Sequence, residues 1–259
     1  MNRTKIEWAD YTWNPVTGCL HGCEYYYARR IAERFAERLE DSSIAIPDKG
    51  LADIADTNIP YPYEFAPTFH LYRLNEPQKV TKPSKIFVCS MADLFGEWVP
   101  NEWIDEVFKA CELAPQHQYL FLTKNPTKYY NWFPSVGSPQ NFWLGASAVN
   151  KPDEKVTEVD GGFLTTTAHC IADTMRFFKN SFISFEPLLN DVMQDCDLDG
   201  IDWVIVGAQT GPGAKPPKPE WVQNIIDQCK VAEIPIFLKD NLKWPEKIQE
   251  YPEGMQVKL

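Results

Sequence analysis

No stretch of this 259-residue chain approaches the roughly 18 consecutive apolar residues that a membrane-spanning helix requires. Arg3, Lys5, Glu7 and Asp10 put charge where an export signal is apolar. A cytoplasmic protein with no membrane partner is therefore expected. Positive charge is in deficit: 25 Lys and Arg stand against 36 Asp and Glu, for a formal charge of −11. That balance disfavours broad contact with a nucleic-acid backbone, although it leaves room for a local basic patch that holds a nucleotide or one strand end. Internal repeats and low-complexity tracts are missing as well. Cysteine occurs in an odd number, seven. Without an export signal, reduced thiols that are buried or bound to metal fit better than a disulfide framework. What remains is a folded chain, 44% hydrophobic, long enough to bury the core of one barrel-sized domain or two small ones.

Short apolar runs alternate with amphipathic segments. Strands are expected at Lys85–Met91, Gln118–Thr123, Asn141–Ala148, Ser181–Glu186, Asp202–Gln209 and Ile234–Lys239, with an extended segment near Tyr11–Pro15 ahead of them. Most are too uniformly apolar for a half-exposed antiparallel sheet, so they read as parallel strands covered on both faces. Helical spacing links Ile104, Val107, Phe108 and Cys111 in one segment and Val222, Ile225, Ile226 and Cys229 in another, where Pro219 suits the first turn. A further helix is expected over Tyr27–Glu40. The alternation predicts an α/β fold, most simply a partial or complete (β/α) barrel.

In such a barrel the chemistry sits at the carboxyl ends of the strands. Ser90, Asp93, Lys124, Asn125, Ser147, Glu186, Gln209, Thr210, Lys239 and Asp240 all fall there. Each has an ordinary reading too: Asp93 or Asn125 as a helix cap, Glu186 as an ion-pair partner of Lys239, Thr210 as a turn residue. As a ring they make a pocket credible. Asp41–Ser84 breaks the alternation as a proline-rich insertion. Its Phe65, Phe69, His70, Tyr72 and Arg73 suit either a stacking surface for a planar substrate or an aromatic plug. Gly207–Gly213 superficially suggests a phosphate loop but lacks the Gly-Lys-Ser/Thr ending, so it reads as a turn near a ligand or as a plain linker.

The sharpest signal is Trp13–Arg30, WNPVTGCLHGCEYYYARR, which sets Cys19 and Cys23 in a glycine-bearing loop between a strand and a helix. Thiolates in such a loop hold iron or zinc, and His21 is a conceivable third donor. The opening TKIEWADYTWNPVTGC, then GC and YARRIAERF, resembles a family of phage-encoded and bacterial proteins that look like radical S-adenosylmethionine (SAM) enzymes. The similarity runs on through PTFHLYRL, KPSKIFVCSMADLFGEW, FLTKNP, FWLGAS, SFEPLL and DWVIVGAQTGPGAKP, nearly the whole chain. It implies a single barrel of the radical SAM type over residues 1–259, a four-iron, four-sulfur (4Fe-4S) cluster in the loop after the first strand, SAM as cofactor and an electron donor as partner. By that resemblance Cys19 and Cys23 are metal ligands, and Ser147, Glu186, Gln209 and Lys124 are candidates for the SAM or substrate pocket.

Two positions depart from the family's pattern. Its third cysteine is replaced here by Tyr26, and Gly207-Ala208-Gln209 stands where Gly-Gly-Glu is more frequent. A phenol with an ordinary pKa near ~10 is a poor substitute for a thiolate at neutral pH. Tyr26 is accordingly an engineered change, a lineage that has lost radical chemistry, or an active variant with another ligand. Three functions follow for an unknown substrate: a radical-SAM-like iron-sulfur enzyme or divergent inactive member, a cluster-free barrel that binds a small molecule, nucleotide or partner protein, and a zinc hydrolase using Cys19, His21 and Cys23.

Overall fold

The computed structural model describes residues 1–22, 27–36, 52–54, 61–134, 137–149, 157–159, 163–165, 167–193 and 196–255. They fall in two compact units, Met1–Lys128 and Tyr129–Lys258. The fold is mixed α/β, and its main-sheet strands are mostly parallel.

In the first unit β1 (Asn2–Arg3) pairs antiparallel with β2 (Tyr11–Trp13). Next come β3 (Val16–Thr17), α1 (Tyr27–Ala36), β4 (Ala52–Ile54), β5 (Thr68–His70), β6 (Lys85–Val88), α2 (Asn101–Glu112) and β7 (Gln118–Thr123). β2, β6 and β7 run parallel, with Tyr11 opposite Ile86 and Lys85 opposite Gln118. β3, β5 and β4 form a small separate sheet. Ile86, Phe87 and Val88 are all buried, which is why β6 reads as a continuous apolar run. On α2 the expected stripe faces inward: Ile104, Val107 and Cys111 are buried completely.

The second unit holds β8 (Phe142–Ser147), β9 (Thr157–Val159), β10 (Phe163–Thr165), α3 (Thr167–Met175), β11 (Ser181–Phe185), β12 (Trp203–Val206), α4 (Pro219–Val231) and β13 (Ile236–Leu238). β8, β11, β12 and β13 are parallel neighbours in that order, and β9 and β10 pair antiparallel apart from them. Every residue of β11, β12 and β13 is buried. Pro219 opens α4, and Val222, Ile225, Ile226 and Cys229 line its inner face. The parallel strands do not close into a complete barrel among the described residues.

The observed strands are shorter than the apolar runs. β6 ends at Val88 rather than Met91, β11 at Phe185 rather than Glu186, and β12 at Val206 rather than Gln209. In each case the polar residues of the run leave the ladder at its carboxyl end. The first helix is described to Ala36; residues 37–40, like 41–51 of the insertion, lie outside the described residues.

The described part of the insertion turns its aromatics inward. Phe65, Phe69 and His70 are buried, and Phe69 stacks on Trp103 at 5.2 Å between ring centroids. Trp13 Nε1 donates to the Arg73 carbonyl at 2.8 Å, and Arg73 donates to the Asn14 carbonyl at 2.9 Å. His70 is fully buried with Nε2 2.8 Å from Thr17 Oγ1. Burial, helped by the nearby Arg73 charge, holds its pKa down to about 3 against the usual 6.5. The unfolded chain therefore takes up a proton near pH 6.5 that the folded chain refuses until about pH 3. Stability should fall by roughly 1.4 kcal/mol per pH unit across that window. We expect urea unfolding at pH 7 and pH 4 to differ by about 3 kcal/mol more in the wild type than in His70→Gln.

Candidate functional site

In the first unit the cysteine loop is built on backbone fit. Gly18 has φ +86°, and a Cβ there would lie 2.3 Å from the Ala66 carbonyl oxygen, so only glycine fits. Its N–H donates to the Met91 carbonyl at 2.9 Å, and a parallel bridge joins Gly18 to Ala92. Asn14 ties the same ends together, its Oδ1 accepting from Met91 N–H at 3.0 Å and Ser90 Oγ at 3.2 Å. The loop after β3 thus lies on the turn that follows β6, at the carboxyl ends of the parallel strands.

Asp93 is the centre of this arrangement. It is 5% exposed. Oδ1 accepts from Phe95 N–H at 3.0 Å and from Thr123 Oγ1 at 2.7 Å. Oδ2 accepts from Lys124 N–H at 2.9 Å and lies 2.7 Å from His21 Nε2. One carboxylate therefore joins the cysteine loop, the turn after β6 and the end of β7. Trp98 meets the His21 ring edge-on at 4.8 Å. The 94–100 turn that carries it is held from behind: Lys128 Nζ donates to the Gly96 and Val99 carbonyls at 2.8 and 2.7 Å, and Asn125 Nδ2 to the Phe95 carbonyl at 3.1 Å. Burial lowers the Lys128 pKa against the raising effect of Asp93 and Glu97.

Of the expected metal ligands, Cys19 is 3% exposed and packs with Ala28, Ala32, Tyr61, Phe65 and Met91. Cys23 and Tyr26 lie outside the described residues. No three His, Cys, Asp or Glu side chains converge as a metal site among the described residues. The donor set of this loop, two thiols and a phenol by sequence, does not match the three thiolates of a 4Fe-4S site with one open iron. Cys89, Cys111 and Cys229 are buried thiols on apolar faces; burial pushes Cys89 and Cys229 up to about 12, so they stay protonated and unreactive.

The second unit gathers three of the four pocket candidates at the carboxyl ends of its strands. Ser147 closes β8 opposite Ser184 of β11. Glu186 follows β11, and Lys239 follows β13. Lys239 Nζ pairs with Glu186 Oε1, both side chains partly exposed. Gly207 makes the room for this: a Cβ there would stand 2.9 Å from the Glu186 carboxyl carbon. Its N–H donates to the Phe185 carbonyl at 3.1 Å, and its own carbonyl accepts from Leu188 N–H at 2.9 Å. Asn241 grips the next residue on both sides, accepting from Ala208 N–H and donating to the Ala208 carbonyl, each at 3.0 Å. Gln209 leaves this clamp half-buried. Ser147 and Gln209 flank the ion pair without a hydrogen bond to it among the described residues. Lys124, the fourth candidate, belongs to the first unit, where its backbone N–H serves Asp93. Sequence reasoning missed Asn241, which lacks any motif, and the joining of His21 to Asp93 across 72 positions.

A protein family described as "Protein of unknown function (DUF5131)" matches residues 3–256. The chain belongs to this family. No curated protein matches it. Among solved structures it is similar to a spore photoproduct lyase complexed with dinucleoside spore photoproduct, at 10% identity and a TM-score of 0.49 over 88% of this chain. A cysteine-to-serine mutant of a spore photoproduct lyase gives 13% identity and a TM-score of 0.45, again over 88% of this chain. A double mutant with bound AdoMet and dinucleoside spore photoproduct gives 11% identity and the same TM-score and coverage. The chain spans 62% of the length of each of these structures.

Proposed function

We propose that this DUF5131 member is a divergent radical-SAM-type protein that binds SAM or a related nucleoside without a stable iron-sulfur cluster. The sequence blocks shared with radical-SAM-like proteins support the ancestry, and the mismatched donor set of the cysteine loop argues against an intact cluster. The observation that carries the binding reading is the second unit's carboxyl-end face. There a carboxylate and an ammonium, Glu186 and Lys239, lie together beside the backbone cradle of Gly207, with Gln209 and Ser147 at its flanks.

Such a face suits a zwitterionic ligand. The ammonium and carboxylate of an amino-acid moiety have complementary partners in Glu186 and Lys239, and Gly207, which lacks a Cβ, lets the Glu186 carboxylate sit close against the backbone. In the resting state the pair neutralises itself, so neither charge is left unpaired. We place Glu186 and Lys239 as the residues that orient the ligand.

Calorimetric titration of purified protein with SAM tests this. Wild type should bind, and Glu186→Gln should bind at least about tenfold more weakly, a loss of about 1.4 kcal/mol. Its urea midpoint should stay near wild type, because a partly exposed ion pair contributes little to stability. A variant that binds normally but is strongly destabilised would make Glu186 structural and overturn the assignment.

A further inference from the structure

Asp93 carries a consequence for His21 that reaches beyond nucleoside binding by the second unit. A carboxylate accepts hydrogen bonds and donates none. Asp93 receives two backbone N–H groups, from Phe95 and Lys124, and the Thr123 hydroxyl, and its Oδ2 lies 2.7 Å from His21 Nε2. Nε2 must carry the hydrogen of that contact. In the neutral imidazole the lone pair then resides on Nδ1. Of the His21 side chain, 23% is exposed, against 7% for Asp93, so the ring stands at the surface of the loop and the carboxylate behind it.

The neighbouring indole supplies the complementary group. Trp98 Nε1 is buried and has no hydrogen-bond acceptor among the described residues, and its ring meets His21 edge-on at 4.8 Å. A buried donor left unmade costs about 1–3 kcal/mol, which a bound acceptor would recover. The corner thus offers one acceptor, Nδ1, and one unused donor, Nε1–H. A hydroxyl is the simplest group that answers both, since it donates one hydrogen and accepts at its oxygen.

We propose that His21, set in its Nε2–H tautomer by Asp93, uses Nδ1 to bind a ligand hydroxyl at the carboxyl end of the first unit's strands, with Trp98 Nε1 donating to the same oxygen. The nucleoside reading enters only in the choice of probe, adenosine, for its ribose hydroxyls. Long-range proton–nitrogen spectra of protein labelled at histidine nitrogen read the tautomer directly, and His21→Gln assigns the signal among the four histidines. In wild type Nε2 should fall in the protonated range and Nδ1 in the unprotonated range, and adenosine should shift the Nδ1 signal. In Asp93→Asn the carboxylate charge is lost and, whichever way the amide turns, its NH2 meets a backbone N–H, from Phe95 or Lys124. The hold on Nε2–H should therefore loosen, the Nδ1–H tautomer should gain population and the adenosine response should weaken.

An Nδ1–H tautomer in wild type overturns the proposal, and so does an unmoved Nδ1 signal at millimolar adenosine. Should Asp93→Asn fail to fold, the wild-type spectrum alone still decides. Failure of the SAM titration would count against the second unit's site and leave the tautomer measurement standing.

Discussion

Tyr26→Cys should convert a protein that retains little iron into one that takes up about four iron and four sulfide per chain on anaerobic reconstitution, with broad brown absorbance. The change restores the third thiol at the spacing of Cys19 and Cys23. A thiol ionises far more readily near neutral pH than a phenol, and thiolate is the form that ligates iron. The start of the loop is held in place: Gly18 fits only as glycine, and the Cys19 N–H donates to the Phe65 carbonyl at 3.3 Å. Metal analysis of the two proteins side by side checks it. Equal iron in both would mean that the loop is not a cluster loop short of one ligand.

The second large effect is on stability. Gly18→Ala should cost about 3–4 kcal/mol, because it joins a left-handed backbone penalty to overlap with backbone that has no room to yield. The overlap is with the Ala66 carbonyl oxygen at 2.3 Å and the Phe65 carbonyl oxygen at 2.7 Å. Gly22 separates the two contributions. It shares a positive φ, +67°, but nothing lies within 4 Å of its ideal Cβ. Gly22→Ala should therefore cost only about 1 kcal/mol. Urea unfolding of both variants measures the difference; equal losses would show that strain at φ, and not the seat of the cysteine loop on residues 65 and 66, sets the glycine requirement.

The parallel strands were legible because their burial on both faces demands continuous apolar runs. Their ends were less so, since Glu186 and Gln209 extend the run in sequence but leave the ladder in space to form the polar face. α3 escaped notice because two of its inward positions, Ala168 and Ala172, are alanines, which leave the apolar stripe faint. Glu186 beside Lys239 was readable, as both follow strands that end at the same edge. Asp93 looked like a helix cap; it accepts from the N–H two residues on, but it closes a turn, and the next helix begins only at Asn101. Its other partners come from positions 21, 123 and 124, brought in by parallel crossovers that no local pattern records.

Metal analysis of the wild-type protein, produced and purified without oxygen, bears most directly on the account. A divergent member with too few thiolates should emerge colourless, with well under about one iron per chain, and should bind SAM in that state. Recovery of about four iron and four sulfide per chain would contradict it, because the loop would then hold a complete cluster despite Tyr26.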